Sequence, residues 1–274
     1  MKLCGHTMGM PGLTLLEALH FCRDLGLDGI EIRCAANGHL NPETVTDAEL
    51  ALIAKTAADE GVAIACLTPY YKDYTSPQAT AETLEGLRKT CRAAQLLGCS
   101  LVRATGGMWP LPATNRDATW ADTALGLQQA SALAADYGVK LALENHSGTL
   151  TQTAEDTVAM VLQVARPNFG ILMDHYWVVA AGREDPLQAV RLQAPHVLHV
   201  HCKNLIRVDG KPLANFLDEG EIDWQPILQI LKDQGYTGYL SDEYEKFWRP
   251  ELPEPQIGMK RNANHLRSVL SRLT

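Results

Sequence analysis

The chain has 274 residues, 46% apolar and 20% charged, the make-up of a folded globular protein long enough for one large domain or two small ones, and not of a disordered, fibrous or membrane-spanning one. Lys and Arg total 24 against 32 Asp and Glu, so the net charge of −8 has the wrong sign for holding nucleic acid or an anionic membrane by bulk electrostatics. A small-molecule partner is expected.

Short apolar runs bounded by glycine, proline or polar turns predict eight buried strands. They are KLCGH from Lys2, GIEIRC from Gly29, VAIACL from Val62, SLVRAT from Ser100, VKLALEN from Val139, FGILMD from Phe169, HVLHVH from His196 and GYLSDEY from Gly238. The stretches between them carry helical periodicity. The first places Leu15, Leu19, Phe21, Cys22 and Leu25 on one face and ends at Gly26; the second starts near Thr46 and Asp47 and ends at Gly61; later ones end at Gly98 and Gly138. A β-α unit thus recurs every ~34 residues, eight times over, which predicts a closed (β/α)8 TIM barrel in one domain spanning 1–274. The rival, an open doubly wound sheet, lacks its phosphate fingerprint, since GHTMGMPG after the first strand does not match G-x-G-x-x-G.

Seven cysteines form an odd set without C-x-x-C spacing and lie mostly inside apolar runs, which suits a reducing, cytoplasmic setting. The N-terminus breaks into His, Gly and Pro before a signal-peptide core can form, and no run approaches the roughly 18 apolar residues of a membrane span, so the whole chain is expected to be the mature protein.

Parallel barrel strands are buried on both faces, so ionisable residues at their C-terminal ends are the informative exceptions. Strand five ends in Glu144 and His146, strand six in Asp174, strand seven in His199 and His201, and strand eight in Glu243 and Glu245. Period-2 alternation turns Ala142, Glu144 and His146 inward, with Gly170, Leu172 and Asp174, and with His199, His201 and Lys203, while Leu141, Leu143, Phe169, Ile171, Met173, Leu198, Val200 and Cys202 face the helices. Strand eight fits less well, because Glu243 inward sends Asp242 outward between Leu240 and Tyr244. Taken singly, each of these reads as a salt-bridged or solvated rim residue. Three carboxylates and an imidazole at matching positions on consecutive strands read instead as a divalent-metal site, since like charges cannot share a dry barrel mouth uncompensated. An oxygen-rich set with one histidine suits Mn²⁺ best, with Mg²⁺, Co²⁺ or Zn²⁺ as alternatives.

At these same residues the sequence resembles the xylose-isomerase-like barrels, in their sugar isomerase/epimerase branch. The likeness spans nearly the whole chain through LVRATGG, LALENH, ILMDHYW, HVHCKN and the tail EGEIDWQPILQILKDQGYTGYLSDEYE, which is similar to the family's G-x-I-D-W…GY-G-x-x-S-x-E-Y-E. The resemblance implies that Glu144, Asp174, His201 and Glu243 hold the metal, that His199 is a neighbour deeper in the barrel, and that Arg207 contacts substrate. It also implies homo-oligomerisation. The chain departs from the ketose 3-epimerases at Trp177 and Leu150, where they carry a histidine and a glutamate, and at Asn204, where a family aspartate is frequent.

The expected chemistry is that of a metal-dependent sugar isomerase or epimerase: a metal-polarised carbonyl, Glu144 and Glu243 as catalytic acid and base, and an enediolate between them. Both glutamates can equally be ligands only, with His146 or His175 moving the proton. A dehydratase of a keto-inositol or related keto-polyol is the principal alternative, because the same enediolate can expel a β-hydroxyl. A repair nuclease is disfavoured by the charge of −8, and a non-enzymatic sugar-binding barrel would exchange no substrate proton. Trp109, Trp177, Phe247 and Trp248 follow strand ends and are candidates to stack on the sugar or on one another. Glu31 and Arg33 are expected to form an inward ion pair below the site, Arg103 to pair structurally, His6 to line the first strand's mouth, and His20, His39 and His265 to be solvated. GGMWPLPATNRD and FWRPELPEPQIG are proline-bearing rim loops suited to a lid or a subunit contact.

Overall fold

The computed structural model describes residues 1–112 and 114–274, so one residue of the first rim loop lies outside the described residues. Eight strands close a parallel barrel: β1 (Lys2–His6), β2 (Gly29–Arg33), β3 (Ala63–Thr68), β4 (Leu101–Thr105), β5 (Lys140–Glu144), β6 (Phe169–Asp174), β7 (Val197–Cys202) and, after the hairpin strands β8 (Asn204–Val208) and β9 (Lys211–Asn215), β10 (Tyr239–Asp242), which returns to pair with β1. The predicted strands lie within one or two residues of these bounds. The helices are α1 (Leu15–Asp24), α2 (Asp47–Glu60), α3 (Pro77–Leu97), α4 (Arg116–Asp136), α5 (Ala154–Val164), α6 (His175–Ala181), α7 (Pro186–Gln193), α8 (Trp224–Asp233) and α9 (Pro255–Ser271).

Local signals set the helix ends. Thr14 with Glu17 and Thr46 with Glu49 form capping boxes, while Gly61 and Gly98 take the left-handed conformation that ends α2 and α3. On α1 the buried face is Leu15, Ala18, Leu19 and Cys22; Phe21 and Leu25, expected on it, are only half-buried because they sit at its margins.

The main apolar core lies between strands and helices, and a much smaller one (Cys66, Leu101, Ala142 and Leu172) fills the barrel interior. Strands five and six follow the predicted alternation. On β7 the alternation fails at Leu198: Val197 pairs with Ile171 but His199 pairs with Leu172, so Leu198 has no opposite number and turns against the interior cluster instead of the helices. This inserted residue sets the register that brings His201 level with Asp174. The β8–β9 hairpin was not expected. Its signal is Asp209-Gly210, both with positive φ, the two-residue turn whose twist matches a hairpin.

Candidate metal centre and active site

The barrel's C-terminal mouth holds a cavity of about 460 Å³, walled by Met8, Tyr70, Trp177, Leu213 and Trp248 and floored by charged groups. Glu144 ends β5, Asp174 ends β6, His201 lies near the end of β7 and Glu243 follows β10, and one ligand atom from each lies within 4.8 Å of all the others. His201 Nδ1 is 2.8 Å from Glu243 Oε2 and 3.2 Å from Glu144 Oε1.

These side chains are held from behind. Arg103 Nη1 sits 2.9 Å from Glu144 Oε2, and the same guanidinium donates to the Pro69 carbonyl, so the expected structural pairing of Arg103 is also what aims Glu144. Asn145 donates to the Asp174 carbonyl and accepts from the Asp174 amide, tying β5 to β6 just below the cluster. Asp174 Oδ1 caps α6 by accepting from the Tyr176 amide, leaving Oδ2 turned to the cluster and Lys203. Asp242 does point outward, as Glu243 inward requires, and its Oδ1 accepts from Asn262 of α9 at 2.9 Å.

Lys203 is the group whose role the sequence did not disclose, although its inward parity was legible. Its buried Nζ lies 2.6 Å from Asp174 Oδ2, 2.8 Å from Glu243 Oε2 and 3.4 Å from Glu245 Oε1. Burial alone would raise Glu144, but Arg103, His146 and His201 hold it down at about 2. Burial would likewise raise Glu243, and His201 and Lys203 keep it well below the ordinary carboxylate range. Asp174 goes the other way, pushed up to about 7, because burial and the charges of Glu243 and Glu144 outweigh the adjacent Lys203. Burial would lower His201 and Lys203, yet the surrounding carboxylates hold both well above their usual values.

The donor set fits a divalent cation. Glu144 Oε1, Asp174 Oδ2, His201 Nδ1 and Glu243 Oε2, one atom from each candidate ligand, are all buried and converge, and what neutralises the three carboxylates there is the Lys203 ammonium against Asp174 and Glu243 and the His201 ring against Glu144 and Glu243. Three oxygens and one imidazole nitrogen facing a common centre are the ligands of Mn²⁺, Mg²⁺, Co²⁺ or Zn²⁺.

The remaining predicted residues divide. His146 and Trp177 line the cavity in mutual contact, ring centroids 4.5 Å apart, and Trp248 stands exposed at its mouth. His175 begins α6 and is buried, its pKa lowered to about 4 by burial, but does not line the cavity; neither does Trp109, whose amide donates to the Gly148 carbonyl. Arg207 lies on the exposed face of β8, engaged by Glu221 and the Val179 carbonyl, away from the cavity lining. Glu31 and Arg33 do not pair with each other. Two residues of strand separate them by ~6.6 Å, so Arg33 reaches the rim, bonding Asn37 and Tyr70 beside Phe247, while Glu31 stays one layer down among His6, His199 and His201. His39, expected in solvent, is half-buried against the Met10 carbonyl, and His265 is half-buried too; His20 is exposed beside Glu60. All seven cysteines are free and buried. Among the described residues no helix is long and apolar enough to cross a membrane.

The pattern of the family described as xylose isomerase-like TIM barrel matches residues 19–269. The chain belongs to that family. Its curated relatives include the inosose dehydratase of Clostridium perfringens, 30% identical over 142 residues, which are 46% of this chain and 48% of that protein. The chain thus spans about half the length of the curated relatives it matches. Among solved structures, a zinc-bound IOLI protein superposes with a TM-score of 0.85 at 21% identity, covering 100% of this chain and 99% of that one. An L-ribulose 3-epimerase superposes at 0.80 with 22% identity, covering 98% and 94%. At these identities the two structures establish the xylose isomerase-like fold and leave the reaction open.

Proposed function

We propose that this family member is a divalent-metal-dependent hydro-lyase that removes water from a keto-inositol or a related cyclic keto-polyol. The observation that carries the reading is the convergence of Glu144, Asp174, His201 and Glu243, one buried ligand atom from each within 4.8 Å of the others, beneath a cavity that Glu144 and Glu243 line. The relatives named inosose dehydratase support water loss, rather than the isomerisation or epimerisation first expected, as the outcome.

When bound, a divalent cation would supply Lewis-acid polarisation of the substrate carbonyl. The reaction breaks the C–H bond beside that carbonyl and the C–O bond of the next hydroxyl, forms a C=C bond and releases water. The carboxylates of Glu144 and Glu243 are the bases available for the carbon-bound proton, kept ionised by Arg103, His201 and Lys203. Lys203 Nζ, in the same cluster, donates a charge-assisted hydrogen bond to the departing oxygen. His146 and Trp177 offer a flat wall for the C–H face of a ring.

The test is to incubate Mg²⁺-loaded protein in heavy water with 2-keto-inositol and a panel of ketoses and follow both by NMR. Loss of water from the keto-inositol is expected. Deuterium beside the carbonyl without water loss would replace the lyase by an isomerase or epimerase, and the absence of both events would overturn the catalytic reading.

A further inference from the structure

Below the metal cluster lies a second polar layer that the proposed reaction does not use. Its centre is Glu31, fully buried, with Oε2 2.8 Å from His199 Nε2 and Oε1 2.9 Å from His201 Nε2. Thr68 Oγ1 donates to Oε1, and His6 Nε2 stands 3.7 Å from it. A carboxylate only accepts, so the Nε2 atoms of His199 and His201 must carry the protons they direct at it. His6 agrees independently: its Nδ1 accepts from the Met8 amide, which leaves the proton of the neutral ring on Nε2.

For His201 the consequence reaches the layer above. With Nε2–H turned down to Glu31, Nδ1 is the nitrogen that faces Glu144 and Glu243, and a cation binding there takes the place of a proton on that atom. We propose that Glu31 is a positioning residue, holding the His201 ring and its Nε2–H tautomer so that Nδ1 is the atom offered to the cation. A metal-bound imidazole whose other nitrogen is pinned by a carboxylate is both oriented and made a better donor. The proposal rests on the reading that Glu144, Asp174, His201 and Glu243 hold a cation.

The test compares Mn²⁺ binding by calorimetry in the full-length wild type and in Glu31→Leu, with the fold of each checked by circular dichroism in EDTA. The variant is expected to bind about 10- to 100-fold more weakly. Unchanged affinity in a folded Glu31→Leu overturns the role of Glu31 and leaves the metal centre standing, whereas a wild type that binds no Mn²⁺ overturns both. Two ions per wild-type chain, the second lost in the variant, would make Glu31 a ligand and also overturn the proposal. Should Glu31→Leu not fold, ¹⁵N-histidine NMR of Mg²⁺-loaded wild type decides: His201 protonated on Nε2 and bare on Nδ1 supports it, and the reverse tautomer overturns it.

Discussion

Two polar layers sit one above the other in this barrel, and they are built on opposite rules. The lower has one carboxylate, Glu31, which accepts from Thr68, His199 and His201, so both of its oxygens are satisfied. The upper crowds three carboxylates, Glu144, Asp174 and Glu243, against one another with only one imidazole and one ammonium among them. Buried polar groups are ordinarily paired, because an orphaned one costs about 1–3 kcal/mol. A lone carboxylate met by donors holds geometry, and carboxylates crowded together are shaped for a cation that arrives from outside. His201 belongs to both, with one ring nitrogen in each.

The sharpest way to break this contrast is to neutralise one upper carboxylate. Glu243→Gln is expected to lower turnover of a keto-polyol by roughly 10²- to 10⁴-fold while the circular dichroism spectrum in EDTA stays that of the wild type. Activity within a few-fold of wild type would remove Glu243 from the chemistry.

A smaller effect separates the cluster from the carboxylate behind it. Burial pushes Asp242 up to about 8, from an ordinary value near 3.8, with only the Asn262 hydrogen bond opposing. The folded state therefore keeps a proton that the unfolded chain loses, so the stability this group contributes is complete below about 4 and disappears as pH rises to about 8, by up to about 1.4 kcal/mol per pH unit. Asp242→Asn should gain on wild type in urea unfolding with EDTA present as pH goes from 5 to 8; parallel pH profiles would refute the assignment. The smallest effect is expected at Arg207, whose partner Glu221 is exposed: Arg207→Ala should shift stability by less than about 1 kcal/mol and leave kcat/KM within about threefold. A larger loss of kcat/KM would restore the substrate contact that the family resemblance implies.

The cluster itself was legible because each candidate ligand sits in a local pattern, and the family resemblance then chose His201 over His199 and Glu243 over Glu245. Glu144, Asp174, His201 and Glu243 close apolar runs at the same end of consecutive strands, and alternation from strand residues whose burial is plain sets their inward direction. Lys203 was marked inward by the same parity, but its partners lie on other strands and no local rule names them. The β8–β9 hairpin had its Asp209-Gly210 signal, hidden among residues read as one connection. Leu198 was misjudged because alternation assumes an unbroken register, and the extra residue on β7 interrupts it.

Sequence alone was enough for the repeating strand-helix unit, the barrel class and the inward polar residues at one end of the barrel, since all of these follow from periodicities of two and 3.6 and from end signals a few residues long, while the choice of Glu144, Asp174, His201 and Glu243 among them came from the family resemblance. Only the tertiary structure decided that Glu31 belongs with the histidines of β7 and not with Arg33, two positions away. Glu31 and His199 are 168 residues apart and Glu31 and His201 are 170 apart. Their meeting depends on the tilt and closure of the barrel, which bring β2 and β7, with β1 and β10 between them, into one layer, and no local pattern encodes that distance.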